Sequence, residues 1–180
     1  MRTLNLKNTS IPAAFQEQVA KYGDRACVAY RDSAKGQYVD ISWNGMNRQV
    51  RQLGCFLLSL GVKKGDRVAL FSQNSPEWWI SDLAILSVGA VNVPIYATNS
   101  AEESRYILKN SGARICITGT KDHTAKIQEA KKKVPGFKTT IAIEPVRAAG
   151  KSVISYSEAL KKGAAYKNQG ELDRRIKSVK

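Results

Sequence analysis

The sequence has little of what a metal site, a disulfide framework or a membrane span would need. Its 180 residues include one histidine and three cysteines, and Cys27, Cys55 and Cys116 lack the closely spaced pairs that bind zinc. Each cysteine lies within an apolar run, which is typical of a small buried side chain in a reducing compartment. No window approaches the roughly 18 uninterrupted apolar residues of a membrane span, and the N-terminus contains no apolar signal-peptide core. We therefore predict a cytoplasmic protein without a metal site.

The usual signatures of nucleotide binding and of nucleophilic catalysis are also missing. No GxGxxG or GxxxxGKS/T pattern occurs, and TGTKD (118–122) has a single glycine, too few to bring several backbone amides onto a phosphate. We interpret TGTKD as a strand-to-helix connection. His123 opens a lysine-rich helix with no serine or cysteine motif beside it, so we expect a hydrogen-bonded or solvent-facing side chain rather than a catalytic base. The sequence predicts no catalytic residue.

The chain is strongly basic, and its positive charge is concentrated toward the C-terminus. The formal net charge is +14, and residues 121–180 hold 15 Lys and Arg against six acids. A basic surface is compatible with nucleic acid, an anionic membrane or an anionic cofactor. However, the basic residues do not alternate with aromatic residues that stack on bases, and no RNP or KH pattern occurs. We predict a solvated basic face and no nucleic-acid partner, and keep a free-standing basic α/β binding module as an alternative.

The stretch from Gly65 to Thr118 organises the chain. Short apolar runs alternate there with two segments of helical length, which is the pattern of parallel strands joined by crossover helices. The first helix begins at SPE (75–77), with a capping serine, a proline at its first position and an acid in its first turn. The second begins with a capping box formed by Ser100 and Glu103. The predicted strands are 68–71, 91–95 and 115–117.

The flanking segments extend this pattern on both sides. We predict, in chain order, a helix over 11–22, a hairpin of strands 26–31 and 37–42 with a turn at 33–36, a helix between Ser42 and Gly61, a helix over 122–134 and a strand over 139–143. The predicted fold class is α/β, with an open, largely parallel sheet flanked by helices and a short N-terminal β-hairpin. Residues 1–145 form this N-terminal α/β lobe. Residues 146–180 are interpreted as a basic connecting segment that contains at most a short helix within 154–160.

Four short motifs in the central stretch are more specific than the fold. They are KGDRV (64–68), NSPEW (74–78), LSVGAVNVPIY (86–96) and, overlapping the third, VPIYATNSAEE (93–103). These residues resemble the N-terminal region of the acyl-activating, adenylate-forming (AMP-binding) enzymes, and among those the long-chain fatty acyl-CoA ligases match best. The resemblance runs from about Ile11 to Lys180. It implies a partial lobe of the acyl-adenylate-forming fold.

The resemblance implies an ATP-dependent enzyme that converts a carboxylate into an acyl-adenylate and then into a thioester, with ATP, Mg and CoA as cofactors. In the family a loop rich in Ser, Thr and Gly, followed by Pro-Lys, holds the ATP phosphates, and later motifs supply an aspartate, a magnesium-binding glutamate and a lysine. None of these patterns occurs here, and the phosphate loop is expected shortly beyond the position of Lys180. We therefore expect a fragment that is inactive alone, whose partners are the remainder of the same polypeptide and the small-molecule substrates. An aryl-CoA ligase or an amino-acid adenylation domain is the alternative parent.

One part of the chain is implied to touch coenzyme A. In thioester-forming relatives the loop after the strand ending in Val-Pro lies against the nucleotide half of this cofactor. The matching residues are Tyr96, Ala97 and Thr98, with Lys121 and Lys126 in the next strand-to-helix connection. The ring of Tyr96 is suited to stacking on adenine and the lysines to the 3′-phosphate, although neither loop has the arginine of some members. The alternative is a tyrosine that anchors its loop beside two solvated lysines.

Two adjacent tryptophans in the first crossover helix indicate an additional interface. Trp78 and Trp79 point about 100° apart on a helix, so both cannot face one core. Either one of them contacts the rest of the enzyme, which we favour, or other elements of this lobe cover both. An exposed tryptophan leaves an apolar patch through which the chain could form a homo-oligomer.

Overall fold

The computed structural model describes residues 10–32, 36–146 and 152–179. In those residues an antiparallel hairpin precedes a five-stranded parallel sheet with helices on both faces. The elements in chain order are α1 (Ile11–Tyr22), β1 (Ala26–Asp32), β2 (Gln37–Ser42), α2 (Trp43–Ser59), β3 (Arg67–Phe71), α3 (Pro76–Ser87), β4 (Val91–Ile95), α4 (Ala101–Ser111), β5 (Ile115–Thr118), α5 (Lys121–Ala130), β6 (Thr139–Ala142), β7 (Val153–Ser155), α6 (Tyr156–Ala164) and α7 (Gln169–Ser178). No helix in the described ranges is both long and apolar enough to cross a bilayer.

The five strands of the main sheet are parallel and lie in the order β4-β3-β5-β6-β7. β4 flanks β3 on one side, while β5, β6 and β7 follow on the other, so the direction of winding reverses between β3 and β5. Parallel neighbours need crossover connections, which α3, α4 and α5 provide between β3 and β6. The predicted fold class is confirmed: the sheet is an open α/β sheet flanked by helices, preceded by a short hairpin of β1 and β2.

The alternation of side chains along each strand divides the core into two layers. On β3, Val68 and Leu70 face the layer formed with α1, α2, α3, α6 and α7, whereas Ala69 and Phe71 face the layer formed with α4 and α5. All four side chains are buried. A strand that is buried on both faces is a continuous apolar run, and this is the pattern that predicts the strand at 68–71.

Side-chain caps at the helix N-termini set where the helices begin. The Ser75 hydroxyl accepts a hydrogen bond from the Trp78 N–H at 3.2 Å and so caps α3. At α4 the Ser100 hydroxyl accepts from the Glu103 N–H at 3.2 Å, while the Glu103 carboxylate accepts from the Ser100 N–H at 2.7 Å. Both predicted caps are confirmed. Gly112 then ends α4 in the left-handed conformation, with φ at 67°.

Two predicted helices differ from the structure at their ends: α5 ends before its predicted end, and the short helix predicted within 154–160 is α6, which begins at Tyr156 and continues to Ala164. We predict a helix from Asp122 to Val134, but the α-helix ends at Ala130 and a 3-10 turn follows over Lys131–Lys133. Pro135 disfavours helical backbone at the residue before it, and Val134 is extended, with φ at −117° and ψ at 98°. The turn predicted at 33–36 lies outside the described residues except for Gly36.

The segment after residue 145, interpreted from the sequence as a basic connection, contains regular structure. Val153–Ser155 adds β7 to the sheet beside β6, and α6 and α7 both pack against α2. Tyr156, Ala159 and Leu172 are buried in the layer that also contains α2 and α3. These apolar residues are few and are separated by exposed lysines and arginines, so the sequence shows only weak periodicity. Packing against a surface that α2 has already formed makes these short elements stable.

A close crossing brings α6 onto α2 at Gly163. A Cβ atom built on Gly163 would lie 1.7 Å from the Gln52 carbonyl oxygen and 3.0 Å from the Phe56 backbone nitrogen, so a residue without a side chain is required there. On the same helix α2, Gly54 receives the side chain of Leu172 from α7. Glycines in α2 and α6 therefore allow the C-terminal helices to approach the backbone of α2.

We predict that Gly163→Ala lowers the free energy of unfolding by about 1–3 kcal/mol, because the added methyl group forces α6 away from the α2 backbone. Gly170→Ala is the matched control, since Gly170 lies in α7 with open space around it and the change should be neutral or stabilising by up to about 1 kcal/mol. Urea unfolding followed by circular dichroism measures both variants. Equal midpoints for Gly163→Ala and the unmodified chain would contradict the close α6–α2 crossing.

Candidate functional site

The carboxyl ends of the parallel strands meet at one edge of the sheet, which is where open α/β sheets commonly bind ligands. β3 ends at Phe71, β4 at Ile95 and β5 at Thr118, and each strand leads into a short connection before the next helix. The winding direction reverses between β3 and β5, so the crevice between those two strand ends is the first place to look for a site.

The crevice between the ends of β3 and β5 is filled by the protein itself. Ser72 is only 7% exposed and donates its hydroxyl to the Gln73 carbonyl at 2.8 Å. Gly119 packs so closely that a Cβ atom on it would lie 2.4 Å from the Ser72 hydroxyl oxygen, and its N–H donates to the Phe71 carbonyl at 2.9 Å. Ser72 and Gly119 therefore pack directly against each other between the two strand ends. TGTKD is the strand-to-helix connection that the sequence predicts, with Thr120 as the cap of α5.

His123 connects the start of α5 to the loop after β4. Its ring is 4% exposed and stacks on Phe71 with 4.3 Å between ring centroids. Nδ1 accepts a hydrogen bond from the Thr120 N–H at 3.3 Å, so the ring proton belongs on Nε2, which lies 3.0 Å from the Ala97 carbonyl oxygen and donates to it. Of the two environments predicted for this side chain, the structure shows the hydrogen-bonded one and not the solvent-facing one. Its contact with Ala97 was not predictable, because the two residues are brought together only when β4 and β5 take their places in the sheet.

The five residues proposed from the sequence to contact coenzyme A lie on this edge. Tyr96 is 82% exposed at the end of β4, and Ala97 and Thr98 follow it in the loop that His123 holds. Lys121 and Lys126 lie on α5, which His123 ties to that loop. The structure therefore brings the two candidate segments to one surface, with the tyrosine ring free to receive a flat ligand.

Both candidate lysines are paired with carboxylates. The Lys121 ammonium lies 3.3 Å from Glu144, whose other carboxylate oxygen accepts the Lys121 N–H at 2.9 Å. The Lys126 ammonium lies 2.8 Å from Asp122, one helical turn earlier. These exposed pairs are individually weak, but an anion that approaches either lysine must compete with a carboxylate for it.

Nearby carboxylates are held in their charged form. The backbone N–H of Ser100, and then its hydroxyl, lower the pKa of Glu103 below its usual value, and Lys126 adds a smaller attraction. The backbone N–H of Lys121, and then its ammonium, lower the pKa of Glu144. Acids at helix N-termini are favoured by the helix dipole. This edge therefore carries considerable negative charge close to the two lysines.

The tryptophan pair divides between core and surface. Trp78 is partly buried and packs against the layer that contains α2 and α3, whereas Trp79 is 54% exposed. The two rings meet edge to face, with 5.8 Å between centroids. The structure agrees with the argument that both rings cannot face one core. The interface predicted for the exposed ring, and the homo-oligomer predicted from it, stay predictions.

The remaining reactive groups are distributed singly. Within the described ranges, no three His, Cys, Asp or Glu side chains lie close enough together to hold a metal ion. Cys55 and Cys116 are buried and Cys27 is partly buried, and burial raises the pKa of each thiol. Thiols of this kind are poorly nucleophilic, because the thiolate is the reactive form.

Comparison with known proteins gives consistent matches. The sequence model of the AMP-binding enzyme family matches residues 15–174. The chain is 36% identical over 148 residues to the long-chain-fatty-acid–CoA ligase FadD15 of Mycobacterium bovis, covering 77% of this chain and 25% of that protein. It is 27% identical over 136 residues to the long-chain-fatty-acid–CoA ligase heimdall of Drosophila melanogaster, covering 74% of this chain and 20% of that protein. It is also 35% identical over 97 residues to the crotonobetaine/carnitine–CoA ligase of Salmonella enteritidis, covering 54% of this chain and 19% of that protein.

A solved structure matches the fold. The anthranilate CoA ligase AuaEII, in complex with anthranoyl-AMP, superimposes with a TM-score of 0.75 at 18% sequence identity, covering 88% of this chain and 30% of that one. At this identity the likeness concerns the fold. The chain spans about a quarter of the length of the FadD15 relatives it matches.

We predict that His123→Leu lowers the free energy of unfolding by about 1–3 kcal/mol, because the Thr120 N–H and the Ala97 carbonyl both lose their partner. Amide hydrogen exchange should also become faster in the loop after β4. The control is Lys132→Leu, a change to the same residue type at an exposed position just beyond α5, expected to alter stability by less than about 0.5 kcal/mol. If His123→Leu left both the urea midpoint and loop exchange unchanged, the histidine contact would not hold this loop.

Proposed function

Because the chain belongs to the AMP-binding enzyme family, we propose that it is the N-terminal part of an ATP-dependent fatty acyl-CoA ligase. In this reaction the fatty acid carboxylate attacks the α-phosphorus of ATP and releases pyrophosphate, and the thiol of CoA then displaces AMP from the acyl-adenylate. The observation that carries the proposal is the match to a long-chain fatty acid ligase at 36% identity over 77% of the chain. The activity belongs to the complete enzyme, of which this lobe is one part.

In this proposal the lobe acts as a scaffold and contributes part of the protein surface that binds the substrates. Its sequence lacks the Ser-, Thr- and Gly-rich phosphate loop and the later acidic and lysine motifs, and the crevice between β3 and β5 is filled by Ser72 and Gly119. The residues present do not fit ATP and magnesium, so we assign no phosphate contact to them at this edge. We expect the 180 residues alone to form no acyl-adenylate.

The rest of the same polypeptide is the proposed partner of this lobe. Residues 1–145 are its main α/β part, and we propose that the segment from 146 to 180 leads from the sheet toward the remaining domain through β7, α6 and α7. Trp79 offers a half-exposed indole ring at the start of α3, where a large apolar side chain gains most from being covered.

A second acyl substrate class has support from one comparison. The crotonobetaine/carnitine–CoA ligase relative is 35% identical over 97 residues, nearly the same identity as the fatty acid ligase over a shorter stretch. An adenylate-forming ligase for a smaller or more polar acid is therefore the runner-up. The longer coverage of the fatty acid relatives favours a long apolar acid.

We predict that the enzyme translated from the complete gene catalyses palmitate-dependent exchange of labelled pyrophosphate into ATP, and forms palmitoyl-CoA when CoA is added. Parallel assays with benzoate, crotonobetaine and a mixture of amino acids test the alternatives. The 180-residue chain is the matched control and should catalyse none of these exchanges. Exchange that depended on benzoate, crotonobetaine or amino acids, and not on palmitate, would overturn the fatty acid assignment.

We also propose that the loop after β4 meets the adenine end of CoA. Tyr96 presents a free ring, Ala97 is held by His123, and Thr98 is exposed beside them. Lys121 and Lys126 would meet the 3′-phosphate, although their pairing with Glu144 and Asp122 offsets much of their charge. We therefore assign most of the contact to the ring of Tyr96.

We predict that Tyr96→Ala weakens CoA binding by about 1–3 kcal/mol, because the adenine loses its stacking surface. Tyr106→Ala is the matched control, since Tyr106 is also exposed, at 68%, but lies on α4 away from the loop. Titration calorimetry of the complete enzyme with CoA and with dephospho-CoA measures both effects. Equal CoA affinities of Tyr96→Ala and Tyr106→Ala would contradict stacking at Tyr96. Equal affinities for CoA and dephospho-CoA would show that the lysines do not contact the 3′-phosphate.

A further inference from the structure

Three basic residues stand side by side at the amino edge of the main sheet. The register pairs Val68 of β3 with Ile115 of β5, and Ile115 with Thr139 of β6. The residues directly before these three positions are Arg67, Arg114 and Lys138. A row of cations therefore crosses three adjacent strands at one level. They are separated in sequence by 47 and 24 residues, so only the strand register brings them together.

The mutual repulsion of these cations is offset only in part, by the carbonyl end of α4 that Arg67 contacts. Adjacent strands are about 4.8 Å apart, and like charges at the same level of neighbouring strands repel. No carboxylate in the described ranges forms an ion pair with Arg67, Arg114 or Lys138. Lys121 and Lys126 at the opposite edge differ in this respect, because each forms an ion pair with a carboxylate.

Most of the side-chain N–H groups of these three residues donate no hydrogen bond to a described residue. Arg67 donates Nε to the Ser111 carbonyl at 2.7 Å and Nη1 to the Gly65 carbonyl at 3.3 Å, so it is partly engaged at the end of α4. The side chains of Arg114 and Lys138 donate no hydrogen bond to any described residue. Both are exposed. The positive charge of these two residues is therefore available to a ligand without loss of a protein contact.

The row lines a cleft of a size that suits a small molecule. The cleft has a volume of about 490 Å³, and ligand pockets commonly have about 300–1,000 Å³. Four cations contribute to its lining, and its one acidic residue in the described part of the chain is Asp66. The Asp66 carboxylate already accepts the Lys63 N–H at 2.8 Å. The four cations are Lys63, Arg67, Arg114 and Lys138.

Two glycines lie beside the guanidinium groups at this edge, and a side chain at the first of them would have to displace one of those groups. A Cβ atom on Gly112 would lie 2.8 Å from Nη2 of Arg67, and one on Gly136 would lie 3.6 Å from Nε of Arg114. Both glycines have positive φ, at 67° and 77°. The turns before β5 and β6 are therefore bare of side chains where the two arginines lie.

We propose that this amino-edge cleft binds a small anion that carries two or more phosphate groups. Adjacent guanidinium and ammonium groups match several phosphates in a row, and arginine binds phosphate oxygens in a bidentate manner. Among the residues that the structure describes, the lining contains no aromatic side chain on which a base could stack, which favours a compact phosphate compound over nucleic acid. The site lies at the edge opposite Tyr96 and does not depend on the proposed ligase activity.

The test uses inorganic tripolyphosphate as the probe and titration calorimetry of the 180-residue chain at low ionic strength. We expect Arg114→Gln/Lys138→Gln to weaken binding at least about tenfold, because two charge-assisted contacts are lost together. The matched control is Lys161→Gln/Lys162→Gln, which also removes two positive charges but at exposed positions of α6 that do not line the cleft, and which we expect to weaken binding less than about twofold. Circular dichroism checks that both double variants keep the fold.

A second measurement locates the anion directly. Amide NMR shifts on titration with tripolyphosphate should concentrate at the turns and strand starts over 63–67, 112–115 and 136–139. Equal weakening by the two double variants, or shifts spread over the whole basic surface, would overturn the proposal, because binding would then follow net charge alone. Binding to single-stranded DNA or to phosphatidylglycerol vesicles with no detectable binding of tripolyphosphate would also overturn it.

Discussion

A parallel sheet has to be covered on both faces, and the rest of this structure follows from that requirement. β3 is an interior strand, with strands on both sides and side chains that are buried in both layers. One layer needs α4 and α5, and the other needs α1, α2 and α3 together with α6 and α7. The C-terminal helices are therefore part of the same folding unit as the central stretch, despite their basic and weakly periodic sequence. Gly163 permits this by letting α6 lie directly against the backbone of α2.

The same architecture gives the two edges of the sheet different electrostatic character. Crossover helices run antiparallel to the strands, so their N-termini lie at the carboxyl edge and their C-termini at the amino edge. Acids in the first helical turns, such as Glu77, Glu103 and Asp122, complement the helix dipoles at the carboxyl edge. Those acids reduce the effect of Lys121 and Lys126 on an anion. At the amino edge the dipoles favour cations, and there Arg67 caps the carbonyl end of α4.

The family motifs and the exposed groups of the fold lie at the same edge. The motif-bearing loops after β3 and β4 are at the carboxyl edge, where the chain presents an exposed tyrosine ring, a loop held by His123 and a half-exposed tryptophan. His123 is central to this arrangement because it satisfies the cap of α5 with one ring nitrogen and holds the Ala97 carbonyl with the other. A change there is expected to affect both the helix start and the candidate contact loop.

The sequence by itself determined the local structure: the hairpin, the buried strands, the helix starts at Ser75 and Ser100, and the membership of an α/β class. These depend on interactions within a few residues, such as a serine hydroxyl that reaches the third N–H of its own helix. The sequence also predicted Tyr96 and the lysines Lys121 and Lys126 in neighbouring strand-to-helix connections. It did not predict that each lysine forms an ion pair with a carboxylate. Only the tertiary structure decided the packing of α6 and α7, the contact of His123 with Ala97, and the row of Arg67, Arg114 and Lys138. Each of these joins residues that are distant in the chain, and their proximity follows from strand order and register, which no local pattern encodes.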